Sequence, residues 1–466
     1  MRKRSGIWFA ALLVFALFAA SCGDDADTTD AAGSATEATT TAAPDTAAGE
    51  DDAPAPQDEA LAEDEPPADE EDAPAEEEEP PADEEEPPAD EGPIATITIW
   101  ADDRRVSPLE AIAPSFTEAT GVEVIVELVE FGAIRDQVSQ AAPAGEGPDI
   151  FVGAHDWTGE LAANGVVVPV SLGDKEGQFV QVALNGFNFA GEVFAVPYVT
   201  EAIAMYRNTD LVPDAPATWD DLRAACDAAA VANCVAVPGG EDATDAYHNY
   251  PFVSAHGGGI FAFDTSTGFD ASQVVLDSAE TVAGIEFLEM QVADGYVAST
   301  NYDNAKNLFL TGQAAFLITG PWELGTMRGQ SDISWGLSLI PQMGAAPTQP
   351  FVGAQGFFLN AFSENSLIAQ SFLLDFIATD ETMQALYAED PRGTAWLAVQ
   401  ATLSSDPDVQ VFDASAANGI PMPNIPQMGA VWGPLGDNLL LVRNGEIVAA
   451  DAMTAAAEAV RAAVGG

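Results

Sequence analysis

The chain has 466 residues, of which 75 are acidic and 14 basic, giving a formal charge of −61. At roughly 150 residues per domain, that length accommodates two or three domains with sizeable cores. So acidic a chain lacks the basic face that a phosphate backbone requires, which excludes nucleic acid as a partner. Three Cys and three His argue against structural zinc, and a single long apolar run, Ile7 to Ala20, excludes a polytopic membrane protein.

That run belongs to an export signal. Arg2, Lys3 and Arg4 form a basic start, and the apolar stretch is too short for a comfortable membrane span. Ala19-Ala20-Ser21-Cys22 follows, small residues ending in Cys, as in a bacterial lipobox. The usual Leu of that motif is Ala19 here. Residues 1–21 read as a lipoprotein signal peptide and Cys22 as the lipidated residue, with ordinary cleavage near Ser21 as the alternative. Either way the mature protein works outside the cytoplasm, anchored to the outer face of the cell membrane or periplasmic.

From Asp24 to Pro93 there are 28 acidic residues, no basic residue and no aromatic one. Such a segment cannot bury enough apolar surface to offset its ordering entropy. Proline and mutual repulsion keep it extended, and at ~3.3 Å per residue it reaches about 230 Å. Residues 22–93 read as a disordered tether; a cation-binding tail is the other reading.

The folded module, Ile94 to Gly466, keeps 47 acidic and 11 basic residues, a balance suited to high salt. It opens with the alternating strand Ala95 to Trp100. A helix is expected next, with Ser107 as cap, Pro108 in its first turn, Glu110 completing a capping box and Gly121 ending it. Val122, Val124 and Val126 alternate as a second strand, and Pro148 to Val152 reads as a third. Trp100 with Asp102-Asp103, and His155-Asp156-Trp157, sit at carboxyl ends of these strands, where open α/β sheets bind ligands.

Further along, Trp219–Ala230 and Thr281–Asp294 read as helices. Cys226 and Cys234 are eight residues apart. In an oxidising compartment they form a local disulfide; two buried thiols are the alternative. Ala314–Thr319 reads as a strand leading into Gly320-Pro321-Trp322, and Pro350–Asn360 as another. Helices are expected at Ser366–Ala378, Glu381–Glu389 and Asp451–Val464. Gly257-Gly258-Gly259 lacks the Lys and Ser/Thr of a nucleotide loop and reads as a turn.

Several phrases together resemble the sugar-binding proteins of bacterial ABC importers, specifically the maltose/maltodextrin-binding family (extracellular solute-binding protein family 1). They are Ile99-Trp100; Gly145-Glu-Gly-Pro-Asp-Ile150; Ala154-His155-Asp156; Pro197-Tyr-Val-Thr-Glu201 with Tyr206-Arg-Asn208; Gly320-Pro-Trp322; Pro350-Phe-Val-Gly353; and Met422-Pro-Asn-Ile-Pro-Gln-Met428 with Trp432. They keep the family's order across nearly all of the module.

The resemblance implies an α/β fold of two discontinuous lobes joined by a hinge, a type II periplasmic-binding-protein fold. Residues 94–200 and 350–405 form lobe 1; residues 201–349 and 406–466 form lobe 2. It implies a monomer that closes on maltose or maltodextrin and delivers it to a membrane ABC permease, with no cofactor, no metal and no catalysis. Asp156 and Glu201 fall on the family's hydroxyl-binding carboxylates, and Asp245 on another acidic contact. Tyr247, Trp322 and Trp432 fall on its stacking aromatics. Asp102 and Asp103 fall within one or two residues of the family's Asp-Lys pair.

These residue types suit a sugar, whose C–H faces stack on rings and whose hydroxyl rim needs acceptors and donors. Three positions depart from the family. Gly153 stands where it carries a first-lobe stacking Trp, Trp157 where it has Arg, and Gly433 where it has an aromatic. Trp157 is a candidate replacement ring. These changes leave trehalose or another di- or oligosaccharide as an alternative ligand, and a secreted glycoside hydrolase or a cation-binding or adhesive surface protein as remoter ones.

Overall fold

The computed structural model describes residues 92–241, 244–264, 268–329 and 332–465. The signal peptide, Cys22 and the tether up to residue 91 lie outside the described residues.

Two sheets organise the chain. In the first, strands run in the order Gly393–Thr394, Ala195–Ala202, Phe351–Leu359, Ile150–Ala154, Ala95–Ala101, Val122–Leu128, with Ile420–Pro421 also beside Phe351–Leu359. Ala95–Ala101 pairs in parallel with both of its neighbours, whereas Phe351–Leu359 runs antiparallel to both Ile150–Ala154 and Ala195–Ala202. That late strand is buried along its whole length, as a central strand covered on both faces should be. The second sheet has the order Val297–Ala298, Asn233–Ala236, Ala314–Thr319, Ala204–Asn208, Trp335–Ser338. Ala195–Ala202 belongs to the first sheet and Ala204–Asn208 to the second, with only Ile203 between them.

Each sheet has its own core. Phe151, Phe187, Phe357, Phe358 and Phe372 anchor the first. Val235, Phe252, Phe316 and Ile318 anchor one face of the second, and Tyr206, Phe309 and Leu317 the other. A further cluster gathers Val431, Leu435, Leu439, Met453 and Ala456 from the last two helices, Gly429–Arg443 and Ala449–Val464. Arg443 closes that region. Its buried guanidinium donates to the carbonyls of Val237, Pro238 and Ala298 and to Asn249, and burial lowers its pKa to about 10.

The first helix departs from expectation. It spans Asp103–Thr120 and is capped by Asp102, whose side chain accepts from the Arg104 amide, while Ser107 and Pro108 lie inside it. Asp102 is the stronger start because its carboxylate both caps the helix and pairs with Arg105 one turn on. Gly121 does end the helix, at φ 73°, a conformation costly for other residues. The segment expected as one helix over Ser366–Ala378 is helical over Ser366–Ser371 and then widens into a π-helical stretch, Phe372–Ile377. Helices Trp219–Ala229, with a Thr218/Asp221 capping box, and Ala279–Ala293 are present. Cys226 and Cys234 are joined by a disulfide, Cα atoms 5.5 Å apart. No helix among the described residues is long and apolar enough to cross a membrane.

Candidate functional site

A cleft of about 1130 Å³ opens between the two sheets. The turn after Ala95–Ala101 brings Asp102, Asp103, Arg104 and Arg105 to it; the end of Ile150–Ala154 brings Asp156 and Trp157. Glu201 reaches it from Ala195–Ala202. Asp245 and Tyr247 come from the loop before Tyr250–Ser254, Trp322 from the turn after Ala314–Thr319, and Trp432 from Gly429–Arg443. All nine sequence-selected binding residues therefore line one cleft. Trp100 does not line it: its indole N–H donates to Glu127 at 2.8 Å, and the ring packs on the first core. This follows from the alternation of the strand, which turns successive side chains to opposite faces.

The rings cluster on the second sheet's side. Tyr247 lies 6.2 Å from Trp322 and 6.3 Å from Phe351, which lies 6.3 Å from Trp432. Trp322 is folded over Gly320: a Cβ there would sit 2.0 Å from the indole. Glycine at 320 is what lets that ring occupy its place. Gly153 plays the corresponding part opposite. A Cβ there would sit 2.7 Å from the Trp157 ring and 2.9 Å from Phe358. Bare backbone at 153 and an indole at 157 are thus one packing solution. No such constraint acts at Gly433, where a Cβ would meet open space.

The polar groups are less free than the sequence suggests. Asp102 is committed to the helix cap and to Arg105, which also donates to the Tyr198 hydroxyl at 2.6 Å. Glu201 is buried and held on both oxygens, by Gln355 Nε2 at 2.8 Å and Arg392 Nη1 at 3.1 Å. The Arg392 guanidinium pairs also with Asp390 and lies 5.8 Å from the centre of the Trp322 ring. Burial and Arg105 lower the Arg392 pKa, but Asp390 and Glu201 prevail and raise it, so it stays charged. Asp156 is buried; desolvation raises its pKa, opposed by His155, by the Trp432 indole N–H at 3.0 Å and by Arg135. Desolvation, then Glu201, Asp245 and Asp156, push the Tyr247 hydroxyl well above its usual range, leaving it a neutral donor. That hydroxyl, Gln355 Oε1 and Arg105 Nη2 are buried without a protein partner.

Two of the contacts that cross between the two sides bear on the cleft residues. Trp432 to Asp156 is one. In the other, Arg104 donates to the Trp322 carbonyl at 2.7 Å and to Glu323 at 2.9 Å. Glu323 also accepts from Tyr302 at 2.6 Å, and Tyr302 accepts from the Trp322 indole at 2.6 Å. His155 is a structural bridge: its Nδ1 accepts from the Ala354 amide and its Nε2 donates to the Met422 carbonyl. His248 pairs with Asp245 at 2.7 Å and edges onto Trp322.

Sequence reasoning missed Arg104, Gln355, Arg392, Tyr302 and His248. Only His248, three residues from Asp245, carried a local signal. Among the described residues no cluster of His, Cys, Asp or Glu is arranged to hold a metal ion.

The family model described as bacterial extracellular solute-binding protein matches residues 111–412. The maltotriose-binding protein of Pyrococcus abyssi is 26% identical over 67% of this chain and 69% of its own length. The maltooligosaccharide ABC transporter solute-binding lipoprotein of Streptococcus pneumoniae strain R6 is 27% identical, covering 79% of this chain and 88% of its own. The maltodextrin-binding protein of Bacillus subtilis is 26% identical over 72% of this chain and 82% of its own.

Proposed function

The chain belongs to the bacterial extracellular solute-binding proteins, and from that premise we propose that it captures maltooligosaccharides and delivers them to a membrane ABC permease. The carrying observation is the convergence of Tyr247, Trp322 and Trp432 with buried, hydrogen-bonded Asp156 and Glu201 on one cleft. Rings cover the apolar faces of a pyranose, and the polar groups meet its hydroxyl rim. In this reading Asp156, Glu201 and Asp245 accept from hydroxyls, the Tyr247 hydroxyl donates, and Asp102 and Asp103 shape the rim.

Residues 94–200 with 350–405 and residues 201–349 with 406–466 act as two lobes that close on the sugar, and the closed face docks on the permease. The protein works as a monomer, makes and breaks no covalent bond, and is held at the outer face of the membrane by a lipid on Cys22. The three similar proteins described above are named for maltotriose, maltooligosaccharide and maltodextrin, which supports an α-glucan as the solute.

Isothermal titration of the purified protein with maltose, maltotriose and trehalose tests this. Micromolar binding of maltose or maltotriose, with no product after prolonged incubation, is expected. Trehalose binding alone would move the substrate, and hydrolysis would overturn the receptor reading.

A further inference from the structure

Arg207 belongs to strand Ala204–Asn208 of the second sheet, does not line the cleft, and is only 9% exposed. Seven of the module's nine arginines hold a carboxylate within 3.4 Å. Arg443 holds none, but its guanidinium is met by three carbonyls and by Asn249. Arg207 has much less. Its Nη2 donates to the Pro213 carbonyl at 3.3 Å, while its buried Nε and Nη1 have no partner among the described residues. The acids that follow it in sequence do not serve it: Asp210 accepts from the Ser334 amide at 3.1 Å, and Asp214 is exposed.

The strand pairing explains where the guanidinium lies. Arg207 stands opposite Gly336 in the antiparallel pair with Trp335–Ser338. A Cβ at Gly336 would sit 3.4 Å from Nη2 and 4.0 Å from Cζ, so the fork lies against that glycine. Alternation places Ser338, opposite Met205, on the same face of the sheet. Diagonal neighbours on one face are within reach of a long side chain. The Ser338 Oγ is also buried with no partner among the described residues. Met205, Val212 and Ile340 contribute the apolar core there. Burial lowers the Arg207 pKa, and Asp214 is the charge that opposes this. An unpaired cation in such surroundings costs free energy.

We propose that the Arg207 guanidinium and the Ser338 hydroxyl form a binding site for a chloride ion within the second sheet. Both groups donate, and neither has an acceptor of its own. One small anion supplies the acceptor and the counter-charge together. Sulfate or phosphate would bring a second negative charge into a module of 47 acidic and 11 basic residues, where repulsion acts against it. An ion that binds only the folded state adds stability that grows with its concentration. The site is independent of the sugar-binding reading.

The test is thermal unfolding of the full protein while sodium chloride replaces sodium acetate at constant ionic strength, which holds screening fixed. Molar chloride should raise the melting temperature of wild type about 2–4 °C more than that of Arg207→Met. Ser338→Ala, the milder change, should lose part of that gain. Wild-type crystals grown in sodium bromide should show an anomalous peak beside Arg207. An equal shift in wild type and both variants overturns the proposal. A bromide peak accompanied by equal shifts would be an adventitious ion only. Water alone beside Arg207 in molar bromide refutes the site, and that result needs no variant to fold.

Discussion

The indole N–H of Trp432 donates to Oδ2 of Asp156 at 3.0 Å, joining a helix packed beside the second sheet to the end of a strand in the first. The acceptor is a buried carboxylate whose pKa desolvation has raised, so this bond is one of the few groups favouring its charged form.

A pH dependence follows. In the proposed reading an ionised Asp156 accepts from a sugar hydroxyl, and a protonated one accepts less well. Affinity should therefore fall as pH drops through a midpoint above the ordinary Asp value of about 3.9. Trp432→Phe removes a contact that favours ionisation and should move that midpoint upward, as read by titrations across pH.

Stability runs the opposite way. The folded pKa of Asp156 is raised, so its contribution is most favourable below the unfolded value and is lost as pH rises through the folded one. Asp156→Asn should raise the melting temperature at pH 7 while weakening sugar binding. A lower melting temperature would contradict the sign argued here.

Glu201 depends on its two holders. Arg392→Met leaves Glu201 and Asp390 buried without their cation and should destabilise by ~3–5 kcal/mol. Gln355→Leu removes one neutral donor and should cost about 1–3 kcal/mol. Denaturant unfolding of both variants checks the order; a larger loss from Gln355→Leu would refute it.

Gly153 and Trp157 should be energetically coupled. Gly153→Ala pushes a Cβ into the Trp157 ring, and such overpacking costs roughly 1–3 kcal/mol. In a Trp157→Ala background the penalty should shrink, though not vanish, because Phe358 still crowds the site. A double-mutant cycle measures the coupling; additive losses would show that the two positions are independent.

Arg104 should bias closure. Its side chain is about a third exposed, and such a pair is worth at most about 1 kcal/mol, roughly fivefold in a populated ratio. Arg104→Ala should enlarge the radius of gyration of the sugar-free protein in small-angle scattering. Raising salt on the wild type should move it the same way, and no change in either experiment would show that the Arg104 contact does not bias closure.

The disulfide should act on stability alone. Closing so short a loop contributes ~2–3 kcal/mol, and neither Cys226 nor Cys234 lines the cleft. The double Cys→Ala variant should melt lower and bind sugar unchanged.

The parts legible in the sequence were those written locally. Ala314–Thr319 was readable from its apolar run, Gly121 as a helix end, and Gly320-Pro-Trp322 as a ring set after a strand. The start of the first helix was misplaced because Ser107 and Glu110 imitate a capping box, while the cap in use pairs with Arg105 across one turn. Arg392 and Gln355 were invisible for another reason. They meet Glu201 only because Phe351–Leu359 and Gly393–Thr394 flank Ala195–Ala202 on its two edges. Among carboxylates this numerous, no residue announces which cation will find it.

The strand Phe351–Leu359 lies between Ala195–Ala202 and Ile150–Ala154, so the first sheet is split in two until that late stretch arrives. A chain delivered from its amino terminus holds a three-stranded half-sheet and the lone strand Ala195–Ala202, both with bare edges, while some 150 further residues follow. Shortened chains ending before Phe351 should aggregate rather than fold, and assembly of the first sheet has to wait for nearly the entire polypeptide.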